Sequence, residues 1–98
     1  MTSQRIDVAV DHPAFAGHFP GAPVLPGAAL LDEVLRRLPL PADAPLRLSA
    51  VKFRRSVVPG ARLELELSEA EGRIRFTVRD ATGVVADGSV HVATARTG

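Results

Sequence analysis

The sequence predicts an α+β domain in which one helix packs against a curved antiparallel sheet of about five strands. Apolar and polar residues alternate near the N-terminus and again from residue 46 onward, as is typical of half-buried strands. Between these regions, residues 27–38 space their apolar side chains as a helix does. One apolar helix face and one antiparallel sheet bury each other only if the sheet curls around the helix.

The first strand is expected at residues 4–10, where the alternation continues until a turn at 11–13. A loop follows, and four of the chain's eight prolines lie between residues 13 and 26. Each proline fixes φ and removes a backbone donor. We therefore interpret this loop as stiff and irregular.

The helix is expected at 27–38, beginning at Gly27 and ending before Pro39. At 100° per residue, one apolar stripe collects Ala28, Leu31, Val34, Leu35 and Leu38. Asp32 lies at the edge of that stripe and one turn before Arg36, where partial burial of its carboxylate is expected.

From residue 46 the alternation persists, and no second helix is predicted. Four strands are expected at 46–58, 61–69, 73–79 and 84–94. Turn signals separate them at Pro59-Gly60, at Gly72 and at 80–83. Gly88, inside the last strand, predicts a bulge or a close backbone approach. Residues 1–98 are therefore expected to form a single domain.

Composition narrows the functional classes. Twelve basic residues offset eleven acidic ones to give a formal net charge of +1, which argues against general nucleic-acid binding. No run of about 18 apolar residues is present, so no membrane insertion is expected. The chain has no cysteine, which excludes disulfides and thiolate chemistry. With no export signal at the N-terminus, a cytoplasmic location is expected.

Apolar residues make up 46% of the chain. A chain of this length buries only about 60–65% of its unfolded surface. We interpret the apolar excess as a subunit interface, and a small monomer with an apolar-rich core is the alternative.

Three histidines are candidates for chemistry, and they are not equivalent. Structural or exposed roles are favoured for His91, within a strand, and for His12, in a turn. His18 lies in the stiff loop, fourteen residues before Asp32. From the residues alone, a histidine and an aspartate at this spacing are more often coincidental than catalytic. No ligand cluster accompanies the histidines, so no metal site is predicted.

Two segments carry a resemblance to a known family. Residues 17–32, GHFPGAPVLPGAALLD, resemble the active-site segment of the hotdog-fold 3-hydroxyacyl-acyl-carrier-protein dehydratases, GHFPxxPxxPGxxxx followed by an acidic residue. Residues 51–60, VKFRRSVVPG, are similar to that family's second segment. The chain looks most like the small aryl-polyene type, within a group that includes the hydroxymyristoyl-carrier-protein dehydratases. The resemblance implies a hotdog fold, in which a curved sheet wraps one central helix.

The resemblance also implies a catalytic pair, His18 and Asp32. Removing water from a 3-hydroxyacyl thioester needs a base for the C2 proton and an acid for the departing hydroxyl. A neutral histidine suits the first role and a carboxylic acid kept protonated by burial suits the second. The family places the oxyanion-binding N–H at Gly27, at the positive end of the helix. The resemblance implies no cofactor. It implies that the substrate is carried on phosphopantetheine.

The partners implied are an acyl carrier protein and a second hotdog subunit. His18 of one subunit would meet Asp32 of another, in a homodimer with shared active sites or in a heterodimer. Candidates for the acyl-chain contact, with core packing as the alternative, are Phe19, Val24, Leu25 and Leu31. Candidates for contact with the acidic carrier protein, with a solvated surface as the alternative, are Arg36, Lys52, Arg54 and Arg55. Phe15 and Phe53 are expected in the core.

Departures from the family pattern leave alternatives open. Arg36 stands four residues after Asp32, where many relatives have glutamine, and an ion pair there would keep Asp32 charged. Ser56 replaces a usual proline, and the chain has no tyrosine or tryptophan to act as a gate. Three functions follow: dehydration in fatty-acid or polyene biosynthesis, thioester hydrolysis by water that Asp32 activates, and non-catalytic binding of carrier protein.

Overall fold

A computed structural model of the chain describes residues 2–9, 11, 25, 27–40 and 45–92. Within them the elements are β1 (Thr2–Asp7), α1 (Gly27–Leu35), β2 (Leu46–Phe53), β3 (Arg62–Ala70), β4 (Arg73–Asp80) and β5 (Gly83–Val92). Every strand pair is antiparallel, and the order across the sheet is β1-β3-β4-β5-β2. The predicted architecture of one helix and a five-stranded antiparallel sheet is confirmed.

Three elements end earlier than their sequence patterns predict. β1 ends at Asp7, the helix at Leu35 and β2 at Phe53. From Arg37 the chain tightens, because the Arg37 N–H donates to the Val34 carbonyl and the Leu38 N–H to the Leu35 carbonyl, each three residues back. β2 ends because the next two N–H groups both donate to one acceptor, the Val85 carbonyl of β5.

β3 and β4 build the centre of the core through strict alternation. Six side chains are at most 5% exposed, namely Leu63, Leu65, Leu67, Ile74, Phe76 and Val78. They belong to one apolar cluster with Leu30 and Val34 of α1, so this side of the sheet, the inner face, meets the helix. The charged residues between them define the opposite, outer face. Each fully buried apolar side chain contributes about 1.5–3 kcal/mol to folding.

The helix buries a different stripe from the one predicted. Leu30, Val34 and Leu38 are buried at four-residue spacing, whereas Ala28 is exposed and Leu31 and Leu35 are half-buried. The prediction for Ala28 was therefore wrong. The sheet covers only one side of α1, and the flank that carries Leu31 and Leu35 lies at the border of that cover. No helix in the described part of the chain is long and apolar enough to cross a membrane.

A β-bulge in β2 changes which side chains face the helix. Ser49 pairs with Ser89 and Lys52 pairs with Asp87, so β2 uses one residue more than β5 between these pairs. Ala50, inside the bulge, has a φ of 53°. Because side chains alternate along a strand, the extra residue moves those that follow it to the opposite face from the one that simple alternation predicts.

Gly88 confirms the predicted close approach. A Cβ on this residue would lie 2.9 Å from the Val51 Cγ2 and 2.9 Å from the Phe76 Cζ. Val51 therefore reaches the inner face, as the bulge requires. The register irregularity of β5 falls at Val85, between the pairs that Val78 and Arg79 make, and not at Gly88.

Candidate active site

A cavity of about 310 Å³ opens beside the first residue of α1. It is lined by Leu25, Gly27, Leu30, Phe53, Arg54, Arg55, Ser56 and Val57. We call it the helix-start cavity. A larger open groove of about 470 Å³ lies against β1, β3 and β4, but its lining is mainly charged and includes none of the predicted site residues. The helix-start cavity is therefore the better candidate for an acyl thioester.

A short backbone bridge holds the start of α1 against the segment that follows β2. The Leu25 N–H donates to the Val57 carbonyl at 2.7 Å, and the two residues form an isolated antiparallel bridge. Both side chains are buried. The bridge fixes two apolar walls of the cavity, since Leu25 and Val57 both line it.

Phe53 is the site residue that the sequence did not reveal. It was predicted to lie in the core, but it is 49% exposed, so that prediction was wrong. Its ring lies against the start of the helix, where three ring atoms are 3.2–3.3 Å from the position that a Cβ on Gly27 would take. The bulge at Ala50 explains this placement, because it directs Phe53 to the inner face beyond the end of the core. Alanine at positive φ gives no sequence signal for such a bulge.

Gly27 begins α1 and borders the cavity. The first N–H groups of a helix have no intrahelical acceptor and carry the positive end of the helix dipole. A side chain on Gly27 would press on the Phe53 ring. Glycine therefore allows the ring and the helix start to form one wall. The role of Gly27 as oxyanion donor stays a prediction.

Asp32 lies on the open flank of α1. Its side chain is 66% exposed, and the Arg36 Nε lies 3.3 Å from its Oδ2. The ion pair that the spacing predicted is therefore present. Partial burial was expected and is not found within the single chain, because the sheet does not cover this flank. Arg36 also donates to Glu33, so one guanidinium serves two carboxylates.

Of the other residues predicted for the catalytic pair and for contact with the acyl chain, one lines the cavity and one does not. Leu25 lines the cavity. Leu31 is half-buried and packs against the core, outside the lining that the described residues form. Three predicted residues, His18, Phe19 and Val24, lie outside the described residues. The catalytic pairing of His18 with Asp32 stays a prediction.

Three of the four cations predicted to meet a carrier protein have carboxylate partners within the chain. Arg36 pairs with Asp32, as described above. The Arg54 Nε lies 2.6 Å from the Asp87 Oδ2, and the Arg55 Nη1 lies 3.1 Å from the Asp80 Oδ1. Lys52 is exposed and forms no ion pair with any described residue. The positive charge at the cavity rim is thus largely neutralised.

The ion pairs that Asp87 and Asp80 form persist at neutral pH. The hydrogen bond from Arg54 holds the pKa of the Asp87 carboxyl below its ordinary value and raises the pKa of Arg54. The pKa of Asp80 is lowered chiefly because its carboxylate accepts from the Thr82 N–H and hydroxyl. Both carboxylates are therefore charged near pH 7. Nowhere in the described ranges do three His, Asp or Glu side chains come together as a metal site requires.

Comparison with known proteins identifies the family. Residues 2–89 match the family model of the ApeI-like dehydratases, described as ApeI dehydratase. The chain belongs to this family.

Relatives of this ApeI-like chain include proteins named as 3-hydroxyacyl-[acyl-carrier-protein] dehydratases. It is 37% identical over 73 residues to the 3-hydroxyacyl-[acyl-carrier-protein] dehydratase FabZ of Anaeromyxobacter sp. (strain K), covering 61% of this chain and 47% of that protein. It is 32% identical over 85 residues to FabZ of Haemophilus influenzae (strain PittEE), covering 72% and 57%. The chain thus spans about half the length of these curated relatives.

Solved structures confirm the predicted hotdog fold for this ApeI-like chain. The dehydratase heterocomplex ApeI:P from Xenorhabdus doucetiae matches with a TM-score of 0.76 and 23% identity, covering 94% of this chain and 86% of that one. The dehydratase domain of PpsC from Mycobacterium tuberculosis matches with a TM-score of 0.72 and 21% identity, covering 97% and 39%. At these identities the likeness establishes the fold.

Proposed function

We propose that this chain catalyses the dehydration of a 3-hydroxyacyl thioester carried on an acyl carrier protein, in fatty-acid or aryl-polyene biosynthesis. The products are the trans-2-enoyl thioester and water. The match of residues 2–89 to the ApeI-like dehydratases carries this proposal. The apolar walls of the helix-start cavity support it, because an acyl chain needs such a lining.

In the proposed reaction, the neutral His18 imidazole removes a proton from C2. Asp32 donates a proton to the 3-hydroxyl, which leaves as water while the C2–C3 double bond forms. The thioester oxygen gains negative charge as C2 loses its proton, and the Gly27 N–H stabilises it. A base, an acid and one N–H donor suffice, so the proposal includes no cofactor. The cytoplasmic location expected from the sequence is also part of it.

A second hotdog subunit belongs to the proposal. A carboxylic acid stays protonated near pH 7 only where water is excluded, and Asp32 is 66% exposed in the single chain. Covering its flank with another subunit would bury Asp32 together with Leu31 and Leu35. β2 is an edge strand of the sheet and exposes Leu48 at 40%, which suits pairing with a further strand. We favour a homodimer with shared active sites, and a heterodimer is the alternative.

The ion pair between Arg36 and Asp32 favours a second candidate function. The Arg36 Nε lies 3.3 Å from the Asp32 Oδ2, and a carboxylate held by an arginine of its own chain is less available to a substrate hydroxyl. The alternative is a non-catalytic subunit that binds carrier protein and completes a hetero-oligomer. Unimpaired carrier binding without turnover of any thioester would support this candidate. Free acid and free thiol as products would instead indicate a thioesterase.

The proposal is tested with a purified 3-hydroxyacyl-carrier-protein substrate and mass spectrometry of the products. We expect His18→Ala and Asp32→Asn each to lower the rate of enoyl formation at least about 100-fold, since each removes a general acid or base. Asp7→Asn, an exposed carboxylate on β1, is the control and is expected to keep the wild-type rate. Wild-type rates in both site variants would contradict the assignment.

A further inference from the structure

Positive charge without a carboxylate partner collects on one part of the outer face. This part spans β2, β5 and β4, and we call it the basic outer patch. It consists of Arg47, Lys52, Arg73 and Arg75, with His91 lying among them. The overall net charge of +1 gives no sign of this patch. Asp87 lies within it, opposite Lys52, and is held by Arg54.

Strand register places three of these residues in one row. Arg47 of β2 pairs with His91 of β5, and His91 pairs with Arg73 of β4. Side chains that pair directly across antiparallel strands point to the same face, with Cβ atoms about 4.5–5.5 Å apart. The row therefore holds two arginines and a histidine within about 10 Å.

The other two cations extend the patch along the strands towards the helix-start cavity. Arg75 lies in the next row, and its Nη1 lies 3.4 Å from the Ser89 hydroxyl. Lys52 lies one row further, opposite Asp87, because the β2 bulge keeps it on the outer face. The patch thus extends for about 13 Å along the strands, the distance from His91 to Asp87 on β5, which pair with Arg47 and Lys52.

Within the described ranges, none of the patch arginines and lysine forms an ion pair with a carboxylate. Asp87, the acid nearest Lys52, is already bound to Arg54 at 2.6 Å. The His91 Nδ1 is buried and has no hydrogen-bond partner in this part of the structure. Arg47 and Arg73 are the two outer members of one row, so an anionic partner placed over that row would interact favourably with both.

We propose that the basic outer patch docks the acidic surface of the carrier protein. This inference rests on the proposed function and moves the docking contact away from the cavity rim. Arg54 and Arg55 at the rim, and Arg36 after the end of α1, would have to give up carboxylates of their own chain to bind new ones. The cations of the basic outer patch have no such ion pairs to break. An acidic partner therefore binds them without the free-energy cost of breaking one.

The position of the patch suits a carrier whose substrate is attached through a flexible arm. Lys52 ends the patch on the outer face, and the next residue, Phe53, lines the helix-start cavity on the inner face. The flexible arm of a carrier protein docked on the patch would reach the helix-start cavity by passing over the end of β2. On the same face, the ion pair between Arg79 and Glu66 lies beyond Arg75 and ends the patch on the β3 side.

The experiment compares two double charge reversals on the same sheet face. Arg47→Glu/Arg73→Glu reverses the patch, and Arg5→Glu/Arg62→Glu applies the same charge change at exposed arginines on β1 and β3. We measure kcat/KM for a 3-hydroxyacyl group borne on carrier protein and on free pantetheine. Binding of the carrier protein itself is measured by calorimetry at low and high salt.

We expect the patch reversal to lower kcat/KM at least about 10-fold for the carrier-borne substrate and to leave the pantetheine thioester within about 2-fold. The control reversal is expected to leave both unchanged. The wild-type binding constant is expected to fall with salt, and that of the patch variant to lose most of this dependence. The milder Arg47→Gln/Arg73→Gln pair repeats the test if the reversal lowers the melting temperature.

Three outcomes would overturn the inference. One is an unchanged carrier affinity in both patch variants. Another is an equal loss on both substrates, which would indicate damage to the site itself. The third is competition by a DNA duplex as strong as that by the carrier protein, which would indicate a nucleic-acid surface. A wild type that turns over no thioester contradicts the proposed function alone, because carrier binding still tests the patch.

Discussion

Along β3 and β4, side chains alternate between the inner and the outer face without interruption, whereas in β2 a bulge half-way along the strand reverses this alternation. In the β3–β4 pair every second residue enters the core, and the register runs without interruption from Glu64 to Ala70. In β2 the bulge at Ala50 sends Phe53 to the helix start and Lys52 to the outer face. The regular pair builds the core, and the irregular edge strand supplies both the cavity wall and the end of the basic outer patch.

The first prediction compares two phenylalanines, one from each region. Phe76→Ala is expected to lower the free energy of unfolding by about 3–5 kcal/mol, because the ring is 1% exposed at the centre of the core. Phe53→Ala is expected to cost less than about 1 kcal/mol, because its ring is half exposed. Urea denaturation of both variants measures the difference.

The same two substitutions distinguish an effect on folding stability from an effect on substrate specificity. Phe53→Ala enlarges the helix-start cavity, so we expect the ratio of kcat/KM values for a longer and a shorter acyl chain to rise about 10-fold. Phe76→Ala, where it remains folded, is expected to leave that ratio unchanged. Equal destabilisation by the two substitutions would show that Phe53 belongs to the core after all.

Gly88→Ala tests the contact between the two regions. Its Cβ would lie 2.9 Å from both Val51 of β2 and Phe76 of β4, and the buried ring has no room to move. We expect a loss of about 1–3 kcal/mol in the free energy of unfolding. Adding Val51→Ala removes one of the two clashes and is expected to recover part of that loss. Strictly additive effects of the two substitutions would argue against the close approach.

Ala50→Gly tests the bulge itself and has the smallest expected effect. At a φ of 53°, alanine is strained by about 1–2 kcal/mol, and glycine removes this strain at an entropic cost of about 0.5–1 kcal/mol. A gain in stability of up to about 1 kcal/mol is therefore expected from thermal unfolding. Glu71→Gly is the matched control, because Glu71 has the same φ in the turn of the regular β3–β4 hairpin. A gain for Glu71→Gly with a loss for Ala50→Gly would contradict the backbone conformation of the bulge.

The regular region could be predicted almost residue by residue. The run LELEL in β3 alternates strictly, and Leu63, Leu65 and Leu67 are all buried, as that pattern requires. The turn at Gly72 and the close approach at Gly88 were also correct, because each has a local cause in glycine. In β2 simple alternation would place Phe53 on the outer face with Arg47 and Ser49, and no residue type signals the bulge that turns it to the inner face.

The candidate site was predicted only in part. Gly27 and Leu25 border the cavity as expected, and the ion pair between Asp32 and Arg36 follows from their helical spacing. The exposure of Asp32 did not follow, because periodicity identifies the apolar side of a helix without saying how far a sheet covers it. The neutralisation of Arg54 was equally unforeseen, since its partner Asp87 lies 33 residues away in the chain.

By itself, the amino-acid sequence determined the order of elements, the alternation that builds the core and the motifs that place the chain among the ApeI-like dehydratases. Each of these depends on neighbouring residues, through backbone propensity and side-chain periodicity. Only the tertiary structure decided to which face the β2 side chains point after Ala50 and which flank of α1 is left uncovered by the sheet. It also decided which of the described cations form ion pairs with carboxylates. These depend on contacts between residues far apart in the chain, which no local pattern records.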